Sequence, residues 1–148
     1  MAELIYEKPW LVAVLVAVSE SEGPVTAKEL ARRSGLRPKT AKYFLWQLER
    51  YGLCARVEGE RRSYVVSERG LKLIERLDAC WRRGRYTLLL KHPHYVLVKF
   101  KKTRASWWIA SVEELEAFKT SGSFPTKKAS ALRKMLEVME LGEARSRS

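Results

Sequence analysis

Apolar residues recur at helical spacing through the first half of the chain, and then alternate as in strands before a final helical stretch. Residues 10–19 are apolar on every side, with Pro9 leading, which predicts a short, nearly all-buried helix. Ser19-Glu20-Ser21-Glu22-Gly23-Pro24 reads as a polar loop. Thr26-Ala27-Lys28-Glu29 places a hydroxyl at an N-cap and a glutamate three residues on, so a helix is predicted to about Ser34. Leu30 and Ala31 face inward, and Gly35 can take the left-handed conformation that ends the helix. Pro38 starts the next helix, predicted over 38–51. Its Ala41, Phe44, Leu45 and Leu48 keep the i, i+3, i+4, i+7 spacing of one buried face. Lys39, Lys42, Tyr43, Trp46 and Arg50 fall on the opposite face, with Thr40 and Gln47 on its flank. Residues 53–57 and 63–66 predict two strands joined by a loop over 58–62. Ser67-Glu68-Arg69-Gly70 then opens a helix whose Leu71, Ile74, Leu77 and Trp81 predict an end near Gly84.

The remainder is patterned differently. Residues 86–90 fit either a strand or the end of a helix, and His92-Pro93-His94 is a break. Residues 95–102 alternate, with Val96, Val98 and Phe100 on one face and Tyr95, Leu97, Lys99 and Lys101 on the other. Residues 107–110 predict a returning strand, Ser111-Val112-Glu113-Glu114 the start of a short helix, and 126–141 a last helix. The fold class expected is α+β, with a unit over 1–84, a smaller α+β unit over 85–142 and a disordered tail over 143–148.

The order helix, helix, tight turn, helix, hairpin, helix resembles the winged helix-turn-helix of the MarR and ArsR classes of transcription regulators, over residues 8–83. The resemblance is carried by Thr26-Ala27-Lys28-Glu29-Leu30-Ala31 as the second helix and Ser34-Gly35-Leu36 as the turn. Lys39-Thr40-Ala41 through Leu45, Leu48, Glu49 and Tyr51-Gly52-Leu53 match the recognition helix and its exit. Tyr64-Val65-Val66-Ser67-Glu68-Arg69-Gly70 match the join after the wing. It implies binding of double-stranded DNA, with helix 38–51 in the major groove and the wing at 58–62 on the backbone or in the minor groove. Trp46 departs from the family pattern, which usually has a polar residue there.

Charge points the same way independently. The chain carries 29 basic against 17 acidic residues, a net +12, and such an excess concentrates polyanions around a protein. Between Pro24 and Tyr51 lie Lys28, Arg32, Arg33, Arg37, Lys39, Lys42 and Arg50 against Glu29 and Glu49 alone. Residues near the N-terminus of a groove-bound helix reach base edges, and Arg37, Lys39, Thr40, Lys42 and Tyr43 occupy that end, with Gln47 a turn deeper. Lys28 and Arg32 on the preceding helix and Arg61 and Arg62 on the wing complete the expected DNA-binding set, together with Trp46. Arg37 is an unusual helix start. Either a phosphate or water meets the free N–H groups there. Trp46 has three open roles: touching DNA, stacking on bases, or packing on the C-terminal unit.

Other chemistry is sparse. Lys91, Lys99, Lys101, Lys102 and Arg104, interleaved with Tyr95, Phe100, Trp107 and Trp108, form either a surface for RNA or single-stranded DNA or a core with a basic exposed face. Cys54 and Cys80 are far apart, and His92 and His94 have no evident third ligand, so neither a disulfide framework nor a metal site is expected. There is no phosphate-binding glycine loop and no nucleophile–base arrangement, so neither an enzyme nor a cofactor is expected. The apolar run at 10–18 is about half of the ~20 residues a membrane span needs, and a cytoplasmic protein without a membrane partner follows. Asparagine is absent and Gln47 is the one glutamine, a composition that fits a thermophilic source. A homodimer is expected, built on the stripe Leu132, Met135, Leu136 and Met139 of the last helix, unless that stripe packs on the chain's own strands. A protein-interaction module of a transcription, replication or chromosome complex is the competing reading.

Overall fold

The computed structural model describes residues 3–121, apart from Glu60, His92, Thr103 and the side chain of Lys119, together with Leu132, Arg133 and Glu137. The described residues form a mixed α+β structure with two antiparallel sheets. The predicted tail and the rest of helix 126–141 lie outside the described residues.

A short helix α1 (Leu4–Glu7) leads into α2 (Pro9–Ser19), in which Pro9 takes the first turn, where its missing N–H costs no hydrogen bond. Residues 11–18 are all buried. A helix that is apolar all round must be covered on every side, and α2 is. One flank packs on α3 (Ala27–Ser34), α4 (Pro38–Arg50) and the strand β3 (Ser63–Val66); the other packs on the second sheet. Val25 and Thr26 form a two-residue strand β1 that pairs with β3, which in turn pairs with β2 (Cys54–Val57), giving the order β1-β3-β2.

Local chemistry sets the boundaries in this half. Thr26 Oγ1 accepts from the Glu29 backbone N–H at 3.2 Å, capping α3 as its sequence predicts. Gly35 ends α3 at φ +66°, a conformation that costs a residue with a Cβ. Ser67 caps α5 (Glu68–Glu75) by accepting from Gly70 N–H at 3.1 Å, while its own hydroxyl donates to the Gly52 carbonyl at 2.6 Å. That pair of bonds ties the start of α5 to the exit from α4.

The helix predicted to run to Gly84 stops at Glu75 instead. Ala79–Arg83 is a strand, β4, paired along its length with β5 (Tyr86–Lys91) through a turn at Gly84, φ +58°. Asp78 N–H already bonds to the Leu90 carbonyl at 2.9 Å. The helical spacing of Leu77 and Trp81 is real, but cross-strand pairing opposite Leu88 offers Trp81 a partner that a helix would not. The run at 86–90, ambiguous in sequence, is strand for the same reason. β6 (His94–Phe100) and β7 (Ala105–Ser111) complete the order β4-β5-β6-β7, and α6 (Val112–Ser121) follows.

The central strands β5 and β6 are covered on both faces. Leu89, Val96, Val98 and Phe100 point to α2 and join its core. Leu88, Tyr95, Leu97 and Ala110 point the other way, onto Leu115 and Phe118 of α6 and onto Leu132. Leu132 is thus buried against the chain's own strands; Met135, Leu136 and Met139, the rest of the stripe expected at a dimer interface, lie outside the described residues. The second sheet therefore starts at Ala79, and its α2-facing side shares one hydrophobic core with the elements before it. No helix of the described residues is long and apolar enough to cross a membrane.

Candidate nucleic-acid interface

α4 divides by face as its spacing predicts. Ala41, Phe44, Leu45 and Leu48 are buried, which fixes the orientation of the helix on α2 and α3. The opposite face is open: Arg37, Lys39, Lys42, Tyr43, Trp46 and Arg50 are exposed, and Thr40 and Gln47 are half-buried at its edge. Arg37 occupies the N-cap with no side-chain cap, so the first backbone N–H groups of α4 have no side-chain acceptor from that residue. The N-terminal end of a helix carries a partial positive charge, and a basic residue there adds to it.

The exposed aromatics of α4 are ordered against one another. Tyr43 and Trp46 stack with ring centroids 6.1 Å apart, and the Arg50 guanidinium lies 5.2 Å from the Trp46 centroid. Gln47 Nε2 donates to Tyr43 Oη at 3.0 Å. Trp46 is 45% exposed and Tyr43 54%. Of the three roles that sequence leaves open for Trp46, packing on the C-terminal unit is not observed among the described residues. Its ring partners are its own helix's Tyr43 and Arg50.

Arg61 of the hairpin lies back toward α3. Arg61 lines a groove of about 520 Å³ with Lys28, Arg32, Thr26 and Glu29, floored by Ala31, Leu36 and Pro38. Register explains this approach: Ser63 of β3 stands opposite Thr26 of β1, so the loop that precedes Ser63 comes down beside the start of α3. Three cations from two separate elements thus meet beside the first residue of α4, with Glu29 the single carboxylate among them. Arg62 is exposed next to Arg61. Lower on the hairpin, Arg56 is paired with Glu49 of α4 at 3.2 Å, which braces the hairpin against the helix.

The structure therefore brings Lys28, Arg32 and Arg61 together and sets Arg37, Lys39, Thr40, Lys42, Tyr43, Trp46 and Gln47 along one helix beside them. No family model, curated protein or solved structure matches the chain. The interface is accordingly read from its own chemistry: a basic helix face whose N-cap residue provides no side-chain cap, flanked by a basic groove.

The second surface considered from sequence divides differently. Tyr95 and Phe100 are buried and belong to the core, and Trp108 is half-buried beside it. Burial removes Tyr95 and Phe100 from any role in stacking on bases. Trp107, at 42% exposed, remains open. His94 meets the Tyr6 ring edge-on, centroids 5.7 Å apart, and His92 lies outside the described residues. Among the described residues no three His, Cys, Asp or Glu side chains are grouped as metal ligands would be. Cys54 is buried, and desolvation pushes its thiol pKa up to about 12, as expected of a small core residue.

Sequence reasoning did not find Arg85. It sits in the β4–β5 turn, and a Cβ built on Gly35 would lie 3.1 Å from its Nε. The two residues are fifty positions apart, and no local signal links them.

Proposed function

We propose that the chain binds double-stranded DNA through a winged helix-turn-helix formed by α2, β1, α3, α4, β2, β3 and α5, and that it acts as a transcription regulator. In this reading α4 enters the major groove with Lys39, Thr40, Lys42 and Tyr43 toward base edges. The hairpin at 58–62 lies on the backbone. The observation that carries the reading is the groove in which Arg61 meets Lys28 and Arg32 beside the N-terminal end of α4. Two basic elements converge where a duplex threading α4 would present phosphates. Backbone contacts of this kind fix register, and the helix face reads sequence.

The Tyr43–Trp46–Arg50 ladder favours a second reading, in which the same face binds protein or stacks on unpaired bases. Arranged flat on a helix, such a ladder offers π-surface to either. Titrating labelled duplex, single-stranded DNA and RNA at ~50 mM salt separates the two. Tight binding of duplex over both single strands supports the groove reading. Preference for single strands, or no binding of duplex, assigns α4 to the second. Light scattering tests the expected homodimer, and a monomer mass at micromolar concentration refutes it.

A further inference from the structure

We infer that the end of the second sheet bearing Arg83, Arg85, Lys101, Lys102 and Arg104 is a second contact surface for the backbone of the duplex held by α4. The inference rests on the DNA-binding reading above and adds to it a region outside the helix–turn–helix. Three observations carry it. First, Arg85 lies against Gly35, the residue that turns α3 into α4, so this sheet end abuts the entrance to the recognition helix. Second, Phe100 N–H bonds to the Arg85 carbonyl and Lys101 N–H to the Arg104 carbonyl, each at 2.9 Å. These bonds hold the β6–β7 loop beside the β4–β5 turn, so the five cations share one end of the sheet. All five are exposed.

Third, the charge there is unbalanced. No acidic residue occurs between Asp78 and Glu113, and among the described residues none of the five forms an ion pair. On the same β4 strand, by contrast, half-buried Arg82 is paired with Glu20 at 3.1 Å. A merely solvated surface carries charges of both signs interspersed. Like charges crowded without partners repel one another, and a polyanion relieves the repulsion.

The placement fits a duplex. The Arg61 groove runs along α3 from Thr26 to Leu36 and Pro38, and Arg85 meets Gly35 where α3 turns into α4. Hairpin cations and sheet-end cations thus both border the entrance to α4, where the backbone flanking the major groove would lie.

Two variants of the full chain test this by duplex titration over a salt series: Arg83→Ala/Arg85→Ala, and Lys101→Ala/Lys102→Ala/Arg104→Ala. The second leaves the Arg85–Gly35 contact intact, so the test survives if the first impairs folding. The control is Arg69→Ala/Lys72→Ala/Arg76→Ala on α5, where Arg69 lies beside Gly52 at the far end of α4. The double and the triple variant are expected to make the salt slope shallower by about 2 and about 3 and to weaken binding about tenfold or more at ~100 mM salt, alike on every sequence. The control is expected to keep the wild-type slope. Slopes unchanged in both sheet-end variants, or lowered as much in the control, overturn the inference and leave the α4 reading standing. Failure of the wild type to bind duplex overturns both.

Discussion

Gly70 occupies the closest approach between α5 and the strand entrance, and replacing it with alanine gives a measurable consequence. A Cβ at this position would fall 2.2 Å from the Leu53 carbonyl oxygen and 2.8 Å from Val66 Cγ1, whereas ordinary contact begins near 3.4 Å. The backbone of Gly70 is not left-handed, so the objection to alanine is steric alone. The obstructing atom is a carbonyl, and it is held in place because it accepts from Ser67 N–H at 2.9 Å. Helix α5 must therefore withdraw by about 1 Å, which pulls on both bonds of the Ser67 cap. Alanine inside a helix gains about 0.5–1 kcal/mol over glycine. Overpacking against a fixed group costs about 1–3 kcal/mol, here at the upper end because no flexible side chain can yield. The net loss is about 2 kcal/mol, which for a chain of this size lowers Tm by about 4–8 °C. Thermal unfolding followed by circular dichroism measures it. Gly59→Ala is the reference, since a Cβ there meets nothing within 4 Å. A Gly70→Ala protein that melts at or above the wild-type temperature refutes the steric argument.

Other consequences follow from the same packing and charge. Leu15→Ala removes a fully buried side chain at the centre of α2 and is expected to cost about 2–5 kcal/mol. Because α2 packs on both sheets, denaturant unfolding should stay a single transition monitored by either tryptophan fluorescence or circular dichroism; two separated transitions would show that the halves fold independently. Lys39→Ala and Tyr43→Ala should relax sequence preference by ~1–3 kcal/mol, whereas Arg62→Ala should weaken all sequences alike; equal losses on every sequence from all three would dismiss groove docking. The Cys54 thiol has its pKa raised to about 12 by burial, so its folded state resists ionisation. Its contribution to stability is full below the ordinary thiol pKa and declines as pH rises from about 9 toward 12. Iodoacetamide at pH 8 should leave Cys54 unmodified until denaturant is added, as read by peptide mapping; rapid native alkylation would show that the β2 region opens readily.

Punctuation residues made the first half of the fold legible. Pro9, the Thr26 cap, Gly35, Pro38 and Gly52 each act on their own neighbours, and the inward face of α4 follows from the spacing of Ala41, Phe44, Leu45 and Leu48. The reading failed where partners are distant. Leu71, Ile74, Leu77 and Trp81 keep helical period across Arg76 and Asp78, where neither glycine nor proline marks an end, yet pairing with residues 86–90 converts Ala79–Arg83 to strand. Tertiary pairing overrides a local pattern when both are available. The candidate site divides the same way. The exposure of Lys39, Lys42, Tyr43 and Trp46 was legible because helix faces are set locally. The meeting of Arg61 with Lys28 and Arg32, and of Arg85 with Gly35, depends on β1–β3 and β4–β5 pairing, which sequence spacing does not encode.

The central claim is that α4 and its neighbouring cations hold duplex DNA, and the salt dependence of duplex binding tests it most directly. Each neutralised phosphate adds about 0.9 to the magnitude of the slope of log K against log salt. Lys28, Arg32, Arg61 and the basic end of α4 alone give a slope on the order of −5 on a duplex of about 20 base pairs, so the wild-type protein is expected to show that slope or a steeper one. A slope near zero, or no duplex binding at ~50 mM salt, contradicts the account.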